Sequence, residues 1–141
     1  ETVESQLAEL YEKAPIGLAV LDADLRYVRI NRMLADINGL PTSAHIGKTV
    51  GQIVPGFELH ARTICAEIRK NGRAVTDYEV SGECPAQPGV RRVWLQSWYP
   101  FKDNTGRLAG YSVIVQDVTE RKRAEEQRAQ SPTRLNAALP S

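Results

Sequence analysis

Residues 91–118 contain two long runs of alternating character, RRVWLQSWYPF and LAGYSVIVQDV, joined by the turn-rich KDNTG. Runs rich in Val, Ile, Tyr and Trp, closed by so short a connection, read as neighbouring strands. Successive side chains of a strand point to opposite faces. Trp94, Gln96 and Trp98 therefore share one face, and Val93, Leu95, Ser97 and Tyr99 share the other. A chain with this segment must build a sheet, and the rest of the sequence has to supply its partners and its cover.

A third strand, AVTDYEVS, precedes the pair across the Gly/Pro-rich GECPAQPG. Near the start, IGLAVLD and RYVRI flank an Ala23–Asp24 turn and predict an antiparallel hairpin. Between the two sets of strands, Phe57, Ala61, Ile64 and Ile68 line one helical face over residues 57–70, closed by Asn71–Gly72. Asn31 is a suitable N-cap for a short helix to Asn38, stopped by Gly39 and Pro41. Residues 41–56 are broken by Pro41, Gly47, Gly51, Pro55 and Gly56, so only single helical turns fit there, with Thr49 as a candidate cap. At the N-terminus Val3, Leu7, Leu10 and Ala14 form a helical seam with Glu9 and Lys13 paired beside it, and Pro15 ends the helix. Strands with one solid helix predict an α+β fold of two layers, the helices on one face of the sheet. Val3, Leu7 and Leu10 are candidates to cover the other face, directly or in a second subunit.

The 141 residues suffice for one domain, and a formal net charge of +1 gives no pull toward nucleic acid or an anionic membrane. There is no apolar run of membrane-spanning length, and ETVESQLAEL is not a secretory signal. Cys65 and Cys84 are too few and too isolated for a disulfide framework or a metal site, and read as reduced cytoplasmic thiols. A start at Glu1 suggests a piece of a longer protein. The Gly47-Lys48-Thr49 triplet lacks the upstream glycine of a phosphate loop, since residues 42–46 are TSAHI. No spacing marks a nucleophile elbow, a zinc helix or a carboxylate pair. The enzymatic alternative is a small α+β enzyme using His60 or His45 with an Asp as acid and base.

Four stretches, in order, resemble the PAS domain, the sensor module of bacterial histidine kinases and diguanylate cyclases: APIGLAVLDADLRYVRINRMLADINGLP, HIGKTVGQIVPG, VWLQSWYPFKDNTGRLAGYSVIVQ and DVTERKRAEE. The last is similar to the family's Asp-Ile-Thr junction, with Val118 in the middle place. The resemblance implies a PAS fold, a five-stranded antiparallel sheet with short helices and one longer helix on its concave face. It implies an N-terminal linker or dimerisation helix over 1–14, the PAS domain over 15–118, and a C-terminal signalling linker and tail over 119–141. It turns the Trp94 face inward, together with Tyr111, Val113 and Val115, and leaves Ser112, Ile114 and Gln116 outside.

On that basis the ligand-binding candidates are Trp94, Gln96, Trp98, Tyr111, Val113, Ile64, Ile68 and Met33, with Gln96 and Tyr111 as the polar members. The competing reading has Trp94 and Trp98 filling a solid core and Gln96 bonded to backbone. His60 borders the apolar helical face, where some PAS proteins carry a haem ligand; the plainer reading is a boundary histidine. Residues 42–56 hold no Cys, so the flavin photoadduct of the light-sensing branch has no nucleophile there. The cofactor stays unassigned, with none as one alternative beside haem or flavin. The expected partners are a second copy in a homodimer, an effector domain of the same parent chain and a small-molecule ligand, with no direct nucleic acid and no membrane. A ligand-free dimerisation and relay module is the alternative.

In ERKRAEEQR, Arg121 and Glu125, and Lys122 and Glu126, are spaced for ion pairs on an exposed helix with almost no apolar face. Thr119 can cap that helix, Glu120 sits well near its positive end, and Ser131–Pro132 reads as its end. Asp117 and Thr119 are thus the candidate relay residues between the last strand and an output linker.

Overall fold

The computed structural model describes residues 2–138, with side chains as far as Ala129. Five strands form one antiparallel sheet: β1 (Gly17–Asp22), β2 (Tyr27–Ile30), β3 (Val75–Glu83), β4 (Arg91–Lys102) and β5 (Leu108–Asp117). Their spatial order is β2-β1-β5-β4-β3, so the N-terminal hairpin and the three-stranded β3–β4–β5 meander are joined through the β1–β5 pair. The β4–β5 pair is in the register alternation requires, with Trp98 opposite Val113 and Gln96 opposite Val115. Trp94, Trp98, Tyr111, Val113 and Val115 are all buried, while Ser112 and Gln116 are exposed.

The helices α1 (Val3–Lys13), α2 (Arg32–Asn38), α3 (Val50–Ile53), α4 (Glu58–Asn71) and α5 (Thr119–Ala138) start and stop where their local chemistry allows. The Asn31 side chain caps α2 by accepting from Leu34 N–H at 3.1 Å, and Gly39 ends it in the left-handed region at φ 77°. Thr49 caps α3 reciprocally with Gln52. Single 3-10 turns at Thr42–Ala44 and Pro55–Phe57 complete the broken segment. Asn31 also ties three elements together. Its Oδ1 accepts from Leu18 N–H at 3.0 Å, and its Nδ2 donates to the carbonyls of Tyr11 and Ile16, both at 2.9 Å.

The strand over 74–81 is not regular. A bulge between Val75 and Tyr78 carries Asp77 at φ 54°, and Asp77 N–H donates to Ser97 Oγ at 3.1 Å. The extra residue puts both Val75 and Tyr78 on the inner face, and alternation then brings Val80 and Gly82 there as well. The exit helix also differs from its sequence pattern. Lys122 crosses to Glu79 on β3 at 2.9 Å rather than pairing along its own helix, because the sheet edge lies within its reach. The helix continues past Ser131–Pro132; a proline removes one ladder bond and can bend a helix without ending it.

Candidate functional site

The inner face of the sheet is covered unevenly. Ala61, Ile64, Cys65 and Ile68 of α4 are buried in the core that also contains Trp98 and Tyr111, whose rings meet at 5.5 Å. Beyond the end of α4 the cover is made of α2, α3, the 3-10 turns and the 84–90 connection, and there a cavity of about 530 Å³ opens. Ala19 and Leu21 of β1, Trp94, Gln96 and Trp98 of β4, and Val113 and Val115 of β5 form its floor. Leu34, Val50, Phe57 and His60 stand over them, and Cys84, Pro85 and Pro88 lie at its edge. The 84–90 connection reaches across to the end of α2, where a side chain on Gly39 would meet the Ala86 backbone at about 3.5 Å.

The structure thus brings Trp94, Gln96, Trp98 and Val113 to the cavity. Tyr111, Ile64 and Ile68 lie in the packed core and do not reach it, and Met33 sits outside in a shallow cleft with Pro15, Gln116 and Arg121. Within the set, Trp98 Nε1–H donates to Gln96 Oε1 at 3.0 Å. The amide is therefore held by a side chain two residues along its own strand, not by backbone. Trp94 Nε1 and the Tyr111 hydroxyl are buried without a hydrogen-bond partner. Burial, and after it the neighbouring Cys65 thiol, push Tyr111 up to about 12, with the Arg69 guanidinium beside it acting the other way.

His60 lies at the cavity wall, stacked on Phe57 at 5.5 Å, with Nδ1 2.8 Å from the Tyr78 hydroxyl that the β3 bulge turns inward. His45 is fully buried: its Nδ1 meets the Pro41 carbonyl at 3.0 Å and its Nε2 meets Asn38 Nδ2 at 3.2 Å. A carbonyl only accepts, so Nδ1 carries the proton and Nε2 accepts from the amide. Tyr27 packs edge-on against His45 at 5.1 Å, and burial pushes its hydroxyl up to about 12, a hydrogen bond with Asn38 acting the other way. Neither histidine hydrogen-bonds to a carboxylate.

Haem and flavin can be weighed against this wall. His60 Nε2 remains as one axial donor. However, the lining includes no Lys or Arg, and its charged member is Glu83, so haem propionates or a flavin phosphate would meet no cation. The wall does not fit either group. No cluster of three His, Cys, Asp or Glu able to hold a metal ion occurs among the described residues, and no helix among them is long and apolar enough to cross a membrane. Cys65 and Cys84 are both free and buried.

At the far end of β5, Asp117 Oδ1 accepts from Thr119 N–H at 2.9 Å and from its hydroxyl at 2.6 Å. The cap on α5 is thus the Asp117 carboxylate, while Thr119 Oγ1 accepts from Val93 N–H of β4 at 2.8 Å. Asp117 Oδ2 pairs with Arg92 at 3.2 Å, and Arg92 Nε donates to Gln87 Oε1 at 2.8 Å. Gln87 belongs to the connection at the cavity edge. Sequence reasoning missed Arg92, Gln87 and the grouping of Tyr27 and Asn38 with His45, because periodicity within an element does not show which side chains of different elements and loops meet. The one available signal was that alternation puts Arg92 on the Trp94 face.

Compared with known proteins, residues 11–123 match the family described as the PAS fold. The chain belongs to the PAS family. A PAS domain of a Colwellia psychrerythraea protein is similar in structure at TM-score 0.69 and 18% identity, over 84% of this chain and 99% of that one. The PAS domain of Bordetella pertussis BvgS is similar at TM-score 0.59 and 25% identity, over 96% of this chain and 98% of that one. Vibrio cholerae VqmA, solved in a complex with ligand and DNA, is similar at TM-score 0.68 and 17% identity over 84% of this chain. That likeness spans about half of VqmA, 52% of its chain. No curated protein sequence matches the chain. The PAS module is thus a sensory and signalling unit by family.

Proposed function

We propose that this PAS module holds a small ligand in the cavity under its short helices and relays occupancy through the Asp117-Val118-Thr119 junction to an effector domain in a cytoplasmic signalling protein. The observation that carries this reading is one continuous set of side-chain contacts. Gln87, on the connection at the cavity edge, holds Arg92; Arg92 holds Asp117; Asp117 caps α5 through Thr119. A ligand that shifts the 84–90 connection therefore acts on the start of the exit helix. Ligand affinity would come from the apolar wall, and orientation from Gln96.

Two measurements test it. Native mass spectrometry reports any retained ligand, and a thermal-shift screen finds others, since a ligand of the native state raises its melting temperature by mass action. Compounds that bind should slow amide exchange at residues 119–123 in the wild type and leave it unchanged in Gln87→Ala. Binding with no change at 119–123 would reject the relay. No retained mass and no hit would favour the ligand-free relay module instead.

The same reading includes a homodimer. Val3, Leu7 and Leu10 are 60–69% exposed along one side of α1, a stripe with no cover in the monomer. Leu7→Asp should convert the protein to a monomer in ultracentrifugation, and a wild type that is already monomeric at every concentration would remove this part. With the stripe apolar and the whole-chain charge at +1, direct nucleic-acid contact is left to other parts of a parent chain.

A further inference from the structure

We propose that the cavity selects neutral ligands bearing a hydrogen-bond acceptor, a carbonyl or a ring nitrogen, and rejects carboxylates. This rests on the ligand-binding reading above and adds the chemistry of the ligand. An indole N–H can only donate, so the Trp98 to Gln96 bond fixes the amide with Oε1 occupied. The Gln96 NH₂ group makes no hydrogen bond among the described residues and is not shut off from the cavity it lines. Two residues earlier on the same strand, Trp94 is 7% exposed and its indole N–H has no partner. That indole N–H is shut off from the cavity, so the donor offered to a ligand on this strand is the Gln96 NH₂ group.

Three of the other polar side chains there are engaged, while the Ser81 hydroxyl makes no hydrogen bond among the described residues and His60 keeps Nε2 free. Asn38 bonds to His45, His60 to Tyr78, and Glu83 accepts from Gly89 N–H at 2.6 Å near the entrance. With Glu83 as the charged member of the wall and no cation beside it, a carboxylate would lose its hydration and find no counter-charge. A neutral acceptor loses little and gains the Gln96 donor. Trp98 acts as the positioning residue, because it decides which end of the amide the ligand meets.

The test uses three probes of nearly one shape, 2-acetylnaphthalene, 2-ethylnaphthalene and 2-naphthoate, titrated calorimetrically into the wild type, Gln96→Glu and Trp98→Phe. In Gln96→Glu the carboxylate still accepts from Trp98 but offers the ligand no donor. The affinity ratio of ketone to hydrocarbon should fall about tenfold, the loss of one good hydrogen bond. In Trp98→Phe the amide is free to turn over, and the ratio should fall in part while the hydrocarbon still binds. In the wild type 2-naphthoate should bind at least about tenfold more weakly than the ketone. A ratio unchanged in Gln96→Glu, or naphthoate binding tighter than the ketone, overturns the selectivity and leaves the cavity a ligand site. Absence of binding by all three overturns the ligand reading and this inference with it.

Discussion

The two halves of the sheet's inner face are built from the same kinds of residue and reach opposite outcomes. Under α4, a regular helix of 14 residues presents a continuous apolar stripe, and Ala61 and Ile64 are wholly buried with Trp98 and Tyr111. Under α2, α3 and the 84–90 connection, Trp94, Gln96, Val113 and Val115 face a space of about 530 Å³. The difference lies in the cover. A long helix offers an apolar side chain every turn and fills the groove it lies in. Short turns interrupted by Pro and Gly spend their length on caps and reversals, and Asn31, Thr49 and Gly39 serve the backbone rather than the core. An uneven cover thus leaves a cavity in a domain whose other half is close-packed.

The largest effect should come from emptying the filled half. Ile64→Ala removes a side chain with no exposure from the α4 side, and should lower unfolding free energy by about 3 kcal/mol in urea titration. A cost under about 1 kcal/mol would mean that the space beneath α4 is not close-packed. The opposite substitution then separates the halves by sign. Ala61 and Ala19 are both buried small residues, one under α4 and one on the cavity floor. Ala61→Leu should cost about 1–3 kcal/mol through overpacking. Ala19→Leu has room to extend and should be near neutral, while displacing any ligand the cavity holds. Equal losses for the two would erase the distinction between solid and hollow halves.

Much of this contrast was legible before the structure. Alternation in VWLQSWYPF placed Trp94, Gln96 and Trp98 on one face, the α4 period placed Ile64 and Ile68, and the breakers in 41–56 marked the region where no solid layer forms. What periodicity could not give is which inward residues meet the cavity and which the core. Ile64 and Ile68 on α4 and Tyr111 beneath it point inward as expected, yet meet the packed core and not the cavity, a matter of where along each element its neighbour ends. The Asp77 bulge was equally hidden. A polar residue in a strand carries no mark of a left-handed backbone, and without that bulge Tyr78 would not face His60. The junction was readable only as far as its motif. Asp117 and Thr119 could be named, but their order of roles, with the carboxylate capping α5 and the hydroxyl holding β4, follows from Arg92 and Val93 on a neighbouring strand.

The smallest effect is the most specific. Tyr111 has no exposure, and its hydroxyl has no hydrogen-bond partner on the filled side of the divide. Tyr111→Phe removes a polar atom that lies beside Cys65 and Arg69 without good hydrogen-bond geometry to either, and leaves the ring in place. It should be neutral or stabilising by less than about 1 kcal/mol near pH 7. Alkaline titration then reads the burial directly. The folded protein holds the Tyr111 proton up to about 12, whereas the unfolded chain releases it near its ordinary value of 10.0. Between those values the unfolded state binds fewer protons, so stability is flat below pH 10 and falls as pH rises toward 12. Tyr27, raised to about 12 by burial in the same way, contributes a second share of that loss. Tyr111→Phe should therefore make the fall in urea midpoint between pH 10 and 11.5 shallower without abolishing it. An unchanged slope would mean that water reaches the Tyr111 hydroxyl, and that the cavity extends under α4 instead of ending at Trp98.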